Sequence, residues 1–191
     1  MSLVTIVLVD DHKLIRQGIR SLLEAQQRYE VVGEANDGRE GFELIERVSP
    51  DIAIIDMMIP NLNGIEIARL VNQRGLRTKI LILTMCDTAT YAVRALQGGA
   101  LGYILKDSDF SEILHAIQNV LISKRYLSPE IAEEVLELLL KAGAGKEEDA
   151  LNLLSPRERE TIQLVGEGKT NSSIADQLRV SIVTREWHRF N

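Results

Sequence analysis

The segment Ile52–Pro60, IAIIDMMIP, decides how the rest of this 191-residue chain is interpreted. Its first four residues are apolar without alternation, a pattern typical of a parallel strand covered by helices on both faces. The run then delivers one carboxylate, Asp56, and breaks at a proline. Because ligands bind at the carboxyl ends of strands in open α/β sheets, Asp56 is a candidate site residue. The alternative is that Asp56 only caps a helix or forms a turn.

Three further apolar segments end in polar side chains. VTIVLVDDH ends in the pair Asp10 and Asp11, KILILTM carries Thr84, and ALGYILKD delivers Lys106. A parallel sheet brings the carboxyl ends of its strands to one rim. We therefore expect an α/β domain whose rim holds three carboxylates, one hydroxyl and one ammonium.

These residue types favour metal-assisted capture of a phosphoryl group. Three adjacent carboxylates repel one another unless a cation lies among them, and oxygen ligands suit Mg²⁺. The metal and Lys106 would neutralise the phosphoryl oxygens while Asp56 attacks phosphorus, giving an aspartyl phosphate.

The order of these residues, with Tyr103 three positions before the lysine, resembles the receiver domain of two-component response regulators from about Val4 to Ser123. The resemblance implies a doubly wound, five-stranded parallel sheet of the flavodoxin-like kind. It implies that Asp56 is the phosphoacceptor for a sensor histidine kinase. It also implies that Mg²⁺ is held by Asp11, Asp56 and the backbone carbonyl of Met58, with Asp10 assisting.

The same resemblance assigns the remaining rim residues. Thr84 and Lys106 would contact the phosphoryl group, and Tyr103 would be the aromatic switch. Many receivers have proline after the lysine, whereas this chain has Asp107, which suits the NarL/FixJ branch. His12 follows the acidic pair, but without a second imidazole nearby it is expected to be a solvated rim residue rather than a metal ligand.

The second half of the chain restarts after a linker. Ser128-Pro129 predicts the start of a helix, and AGAGKEEDA has the composition of a flexible tether. From Ser155 onward, capping residues and glycines predict three short helices forming a helix-turn-helix. A generic three-helix bundle is the alternative.

The pieces LSPRERE, GEGKTNSSIA and SxxTxxxHxxN, the last from Ser181 to Asn191, resemble the LuxR-type DNA-binding domain of NarL/FixJ regulators. In that family the helix opened by Ser181 enters the major groove. Residue by residue, the resemblance nominates Lys169, Thr170 and Asn171 for backbone contacts, and Thr184, Glu186, Trp187, His188 and Asn191 for the recognition face.

Two features depart from the LuxR-type pattern. Arg185 occupies a position where the family carries a buried apolar residue, and the sequence stops at Asn191 inside the recognition helix. An unpaired charge in a small core is costly. The expectation is therefore a truncated domain that is poorly ordered after about Leu178 and binds DNA weakly.

The predicted organisation is a receiver over residues 1–123, a helical linker and tether over 124–151, and a truncated helix-turn-helix over 152–191. From Ser155 onward, six basic side chains face five acidic ones, a net +1 that leaves −7 for the rest of a chain of net charge −6. Because nucleic acid is negatively charged, we expect it to bind the second half of the chain.

The function predicted from sequence is a DNA-binding response regulator controlled by phosphorylation of Asp56. We expect a homodimer on phosphorylation, no membrane contact and a cytoplasmic location, because no apolar run is long enough to span a bilayer. The chain would not be a turnover enzyme. One alternative is a phosphatase of the haloacid-dehalogenase type. Its chemistry requires a general-acid aspartate at the position that Met58 occupies. The other is a receiver acting through protein contacts only, with a non-functional DNA-binding remnant.

Overall fold

A computed structural model describes residues 3–144, with side chains as far as residue 140. The chain divides into two compact units, Met1–Leu139 and Leu140–Asn191, and nearly all described residues belong to the first. The predicted helix-turn-helix and all eight nominated DNA-contacting residues lie outside the described part. In that part, no helix is both long and apolar enough to cross a membrane.

The first unit alternates strands and helices along the chain. Its strands are β1 Val4–Val9, β2 Tyr29–Ala35, β3 Ile52–Asp56, β4 Lys79–Thr84, β5 Gly102–Leu105 and β6 Tyr126–Leu127. Its helices are α1 Lys13–Glu24, α2 Gly38–Val48, α3 Gly64–Gln73, α4 Ala89–Gly98, α5 Phe110–Leu121 and α6 Pro129–Ala144. The strands form one parallel sheet in the order β2-β1-β3-β4-β5-β6. The expected doubly wound sheet is confirmed, with the two-residue β6 added beyond the five predicted strands.

Burial explains why β3 lies at the centre of the sheet. All five of its residues are buried, and it pairs with β1 on one side and β4 on the other. A strand covered on both faces has no solvent side, so its apolar residues need not alternate with polar ones. The last residue of this strand is Asp56, which is 3% exposed.

Local signals place the helices that flank the sheet. The side chain of Asp37 accepts hydrogen bonds from the amides of Arg39 and Glu40, which fixes the start of α2. The Asn63 side chain caps α3 in the same way through the amide of Glu66. Helix α3 ends at Gln73, and Gly75 follows at φ 63° in the left-handed region, where a glycine commonly terminates a helix.

The first part of the predicted linker is packed into the receiver unit. Strand β6 pairs in parallel with β5, and Ile131 and Val135 of α6 are buried. The first turns of α6 thus belong to the compact unit that contains the sheet. The boundaries at residues 123 and 151 stay predictions.

Candidate functional site

The candidate site forms where the central strands end. Asp10 follows β1, Asp56 closes β3, Thr84 closes β4, and Lys106 follows β5. In the register of the sheet, Asp56 lies beside Leu83 and Thr84 lies beside Leu105. Parallel pairing therefore brings the four predicted strand ends to one rim, as the sequence indicated.

Lys106 links two of the carboxylates. Its Nζ lies 2.7 Å from Oδ2 of Asp56 and 2.7 Å from Oδ2 of Asp10, and all three side chains are almost fully buried. Burial acts to lower the pKa of Lys106, but contacts with the two carboxylates outweigh it and raise that pKa. The lysine is therefore charged at neutral pH.

Burial has the opposite effect on Asp56. It raises the pKa of Asp56 above the usual range of an aspartate, and the hydrogen bond from Lys106 opposes the shift without cancelling it. The amide of Met58 also donates to Oδ1 of Asp56 at 3.1 Å. A buried carboxylate that keeps a raised pKa beside a lysine is typical of a functional site.

The acidic pair is tied down by the residue that follows it. Oδ1 of Asp10 accepts a 2.7 Å hydrogen bond from the amide of His12. Nδ1 of His12 lies 2.8 Å from Oδ1 of Asp11 and 3.9 Å from Oδ2 of Asp56. The imidazole is 62% exposed, in keeping with a rim residue, yet its Nδ1 contacts the carboxylates.

The donor set fits a divalent cation. One ligand atom from each of Asp10, Asp11, His12 and Asp56 lies within 4.8 Å of the others. Oδ2 of Asp10 is buried and, although Lys106 is close, receives no hydrogen bond of acceptable geometry. Carboxylates with an unsatisfied oxygen are the ligands that hard cations prefer. Whether the carbonyl of Met58 joins them stays a prediction.

The predicted switch residues share one neighbour, Cys86. The amide of Cys86 donates to the hydroxyl of buried Thr84 at 3.1 Å. The hydroxyl of Tyr103, also buried, donates to the carbonyl of Cys86 at 2.9 Å. Burial raises the pKa of Tyr103, so its hydroxyl stays a donor. Thr84 and Tyr103 are therefore connected through a single residue, Cys86.

Sequence reasoning missed Arg16, which hydrogen-bonds to the backbone of the acidic pair. Its guanidinium donates to the backbone carbonyl of Asp10 and to the carboxylate of Glu34 on β2. The only signal in the sequence was a basic residue one helical turn after His12, whose carbonyl accepts from the amide of Arg16. Its side chain is 13% exposed, so Arg16 is a structural part of the rim rather than a solvated charge.

Little space lies inside the rim. The cavity lined by Asp10, Arg16 and Asp56 has a volume of about 10 Å³, roughly that of one water molecule. A ligand of Asp56 larger than a water molecule therefore does not fit inside this cavity.

Comparison with protein families agrees with this geometry. Residues 6–118 match the response regulator receiver domain, and residues 152–191 match the bacterial regulatory proteins of the luxR family. The nitrate/nitrite response regulator protein NarL of Escherichia coli K12 is 34% identical over 184 residues, covering 96% of this chain and 85% of NarL. The transcriptional regulatory protein LiaR of Bacillus subtilis is 36% identical over 193 residues, covering 99% of this chain and 89% of LiaR.

A solved structure shows the same fold. The two-component response regulator of the LuxR family from Aurantimonas sp. SI85-9A1 is 40% identical, with a TM-score of 0.68 over 73% of this chain and 99% of that one. Both halves of the sequence thus match the two modules of one kind of regulator. The chain belongs to the NarL/FixJ type of two-component response regulators, phosphorylation-controlled transcription regulators that join a receiver domain to a LuxR-type DNA-binding domain.

Proposed function

We propose that Asp56 is the phosphoacceptor through which a sensor histidine kinase controls this regulator. The observation that carries the proposal is the position of the Asp56 carboxylate. It is buried at the end of the central strand and lies 2.7 Å from the ammonium of Lys106. A nucleophilic carboxylate needs a cation close enough to take up the charge of the incoming phosphoryl group.

The proposed reaction is transfer of one phosphoryl group. An oxygen of Asp56 attacks phosphorus, the bond from phosphorus to the kinase imidazole nitrogen breaks, and the imidazole leaves with that electron pair. Lys106 stays charged and moves its contacts from the carboxylates to the phosphoryl oxygens. The chemistry is self-phosphorylation and later hydrolysis of the aspartyl phosphate, not turnover of a substrate.

We further propose that Asp10, Asp11 and Asp56 hold Mg²⁺ at this rim. The donor set fits a hard cation, because it consists mainly of carboxylates with one unsatisfied buried oxygen. When bound, Mg²⁺ would supply positive charge that stabilises the phosphoryl group during transfer. The chain's own contribution is to keep the three carboxylates close together, with Asp10 and Asp56 buried and Asp11 exposed to solvent.

Phosphorylation would then act through Thr84 and Tyr103. The phosphoryl group adds roughly two negative charges at the rim. We propose that the Thr84 hydroxyl turns toward it and releases the amide of Cys86, and that Tyr103, bonded to the same residue, follows. This movement would favour a form that dimerises or frees the DNA-binding half.

Labelling with a small phosphodonor tests the assignment. In the presence of Mg²⁺, the wild-type chain should gain one phosphate by intact-mass spectrometry, and Asp56→Asn should gain none. An amide is a poor nucleophile and a weaker metal ligand than a carboxylate. Asp51→Asn serves as the control, because Asp51 lies at the opposite ends of the strands, where it bonds Thr5. Undiminished labelling of Asp56→Asn would refute the proposal.

A further inference from the structure

A buried serine beyond the residues that match the receiver family forms a hydrogen bond to the end of β5. Ser128 lies beyond residue 118, where the match to the receiver family ends, and is fully buried. Its hydroxyl donates to the carboxylate of Glu112 at 2.5 Å and accepts from the amide of Leu105 at 3.1 Å. Ser108 approaches the same oxygen at 3.4 Å.

The hydroxyl of Ser128 is not used as its position in sequence predicts. A serine immediately before a helix normally accepts hydrogen bonds from the first amides of that helix. Ser128 does precede α6, and its carbonyl accepts from the amide of Ile131. Its hydroxyl, however, is turned toward β5 and α5. The position thus joins the start of the linker helix to the strand that leads to the site.

The amide that Ser128 holds is next to the lysine of the site. Lys106 donates its own amide to the carbonyl of Thr84 on β4 at 2.7 Å, on the opposite side of the strand. The amides of Leu105 and Lys106 are therefore fixed from two sides, by Ser128 and by β4. Strand β6 pairs only with Gly102 and Tyr103 of β5. Beyond that point, the Ser128 side chain provides the next hydrogen bond to β5, at the amide of Leu105.

The amide of Leu105 sets the direction of these bonds. A backbone amide can only donate, so an oxygen lone pair of Ser128 faces Leu105 and the Ser128 proton goes to Glu112. The hydroxyl is thereby oriented for the Leu105 amide in the presence of Glu112. Removing the hydroxyl would leave the buried amide of Leu105 without that partner.

We infer that Ser128 is a positioning residue for Lys106. It holds the end of β5 so that the lysine side chain stays between Asp10 and Asp56. In this way the linker residue that immediately precedes α6 supports phosphoryl transfer. The inference rests on the proposed function. It also predicts that the coupling between Lys106 and Ser128 acts in both directions. A change in the contacts of Lys106 should alter how firmly Ser128 and α6 are held.

The test is a double-mutant cycle in the full chain, with phosphorylation by a small phosphodonor at saturating Mg²⁺ as the readout. Ser128→Ala should lower the rate about fivefold, less than the ~100-fold that a 1 Å misplacement can cost. In a Lys106→Ala background, adding Ser128→Ala should lower the rate no further, because the serine acts through the lysine. Ser128→Thr keeps the hydroxyl and should restore most of the rate.

A matched control separates positioning from loss of stability. Val31→Ala removes buried apolar volume from β2, at the far side of the sheet, and should lower the melting temperature without slowing phosphorylation. An equal slowing by Val31→Ala and Ser128→Ala at matched stability would overturn the inference. So would an unchanged rate in Ser128→Ala, or the same fold loss in both lysine backgrounds.

The outcomes also distinguish this inference from the proposed function. If the wild-type chain takes no phosphate, or if Asp56→Asn is labelled equally, the proposed function and this inference fail together. If labelling requires Asp56 but is indifferent to the Ser128 hydroxyl, only the positioning role fails.

Discussion

The two ends of the central strands both carry polar side chains but use them differently. At the amino ends, the amide and hydroxyl of Thr5 both donate to the carboxylate of Asp51, whose own amide donates back to the Thr5 hydroxyl. Nearby, buried Thr78 donates to the carbonyl of Pro50 at 2.8 Å. Donors and acceptors are matched there, so this end has a structural role.

At the carboxyl ends, charge is not matched in this way. Three aspartates share one ammonium and one exposed imidazole, and a buried oxygen of Asp10 lacks a hydrogen bond. Such an arrangement costs stability unless a ligand completes it. The contrast teaches that polar residues at strand ends indicate a binding site only where their charges and hydrogen bonds remain unbalanced.

Removing the lysine from the carboxyl end should have the largest effect. Lys106→Met is expected to slow phosphorylation by a small phosphodonor on the order of 10²-fold, because one preorganised cation is lost from the transition state. Lys79→Met is the control, since Lys79 lies at the amino ends and donates to the carbonyl of Leu121. Equal slowing by both variants would contradict the division between the two ends.

The reverse experiment disturbs the amino ends. Thr78→Val keeps the shape of the side chain but leaves the buried carbonyl of Pro50 without its hydroxyl donor. We expect a loss of about 1–3 kcal/mol in the free energy of unfolding by urea, and no change in phosphorylation rate. Thr78→Ser should recover most of the stability. A slower phosphorylation in Thr78→Val would show that the two ends are coupled.

Neutralising one aspartate tests the charge imbalance itself. Asp11→Ala should weaken Mg²⁺ binding about tenfold or more, because a carboxylate ligand is removed. In the absence of metal it should melt no lower than the wild type, since one source of repulsion has gone and the lost contact with exposed His12 is screened by water. A marked drop in the metal-free melting temperature would identify Asp11 as a structural residue.

A smaller, pH-dependent effect is expected beneath the acidic pair. The hydrogen bond from Arg20, with help from Arg16, lowers the pKa of Glu34 below its ordinary 4.5. A lowered pKa stabilises the fold above that ordinary value, and this stabilisation is lost as the pH falls through the folded-state pKa. Glu34→Gln should therefore be destabilised at pH 7, and the difference from wild type should shrink below about pH 4. Urea unfolding of Glu34→Gln and of the wild type at pH 7 and below about pH 4 measures this difference in stability. A difference that does not change with pH would contradict the mechanism.

The sequence sufficed for the residues whose positions follow from topology. Once β1, β3, β4 and β5 are recognised as apolar strands, parallel pairing must bring Asp56, Thr84 and Lys106 to one end. The reach of Lys106 to both Asp10 and Asp56 could not be predicted, because it depends on side-chain conformation across three strands. The contact of His12 with the carboxylates was missed for the same reason.

The two-residue strand β6 and the partners of the Ser128 hydroxyl could not be predicted from the sequence. The segment that forms β6 has two residues and no periodicity, and it becomes a strand only because β5 leaves one side unpaired. Ser128 was correctly placed before a helix, yet its hydroxyl bonds Leu105 and Glu112, a choice set by tertiary packing. Local capping rules describe what a serine can do for its own helix and say nothing about nearer partners elsewhere.

The shortness of β6 also bears on how this protein avoids pairing with copies of itself. An uncovered outermost strand offers unpaired amides and carbonyls to any other extended chain. Here β6 covers Gly102 and Tyr103, and the Ser128 hydroxyl covers the next free amide, that of Leu105. A receiver cut after residue 118 would lay bare the wholly buried strand GYIL as a template for strand addition. We expect such a fragment to associate with copies of itself through that strand.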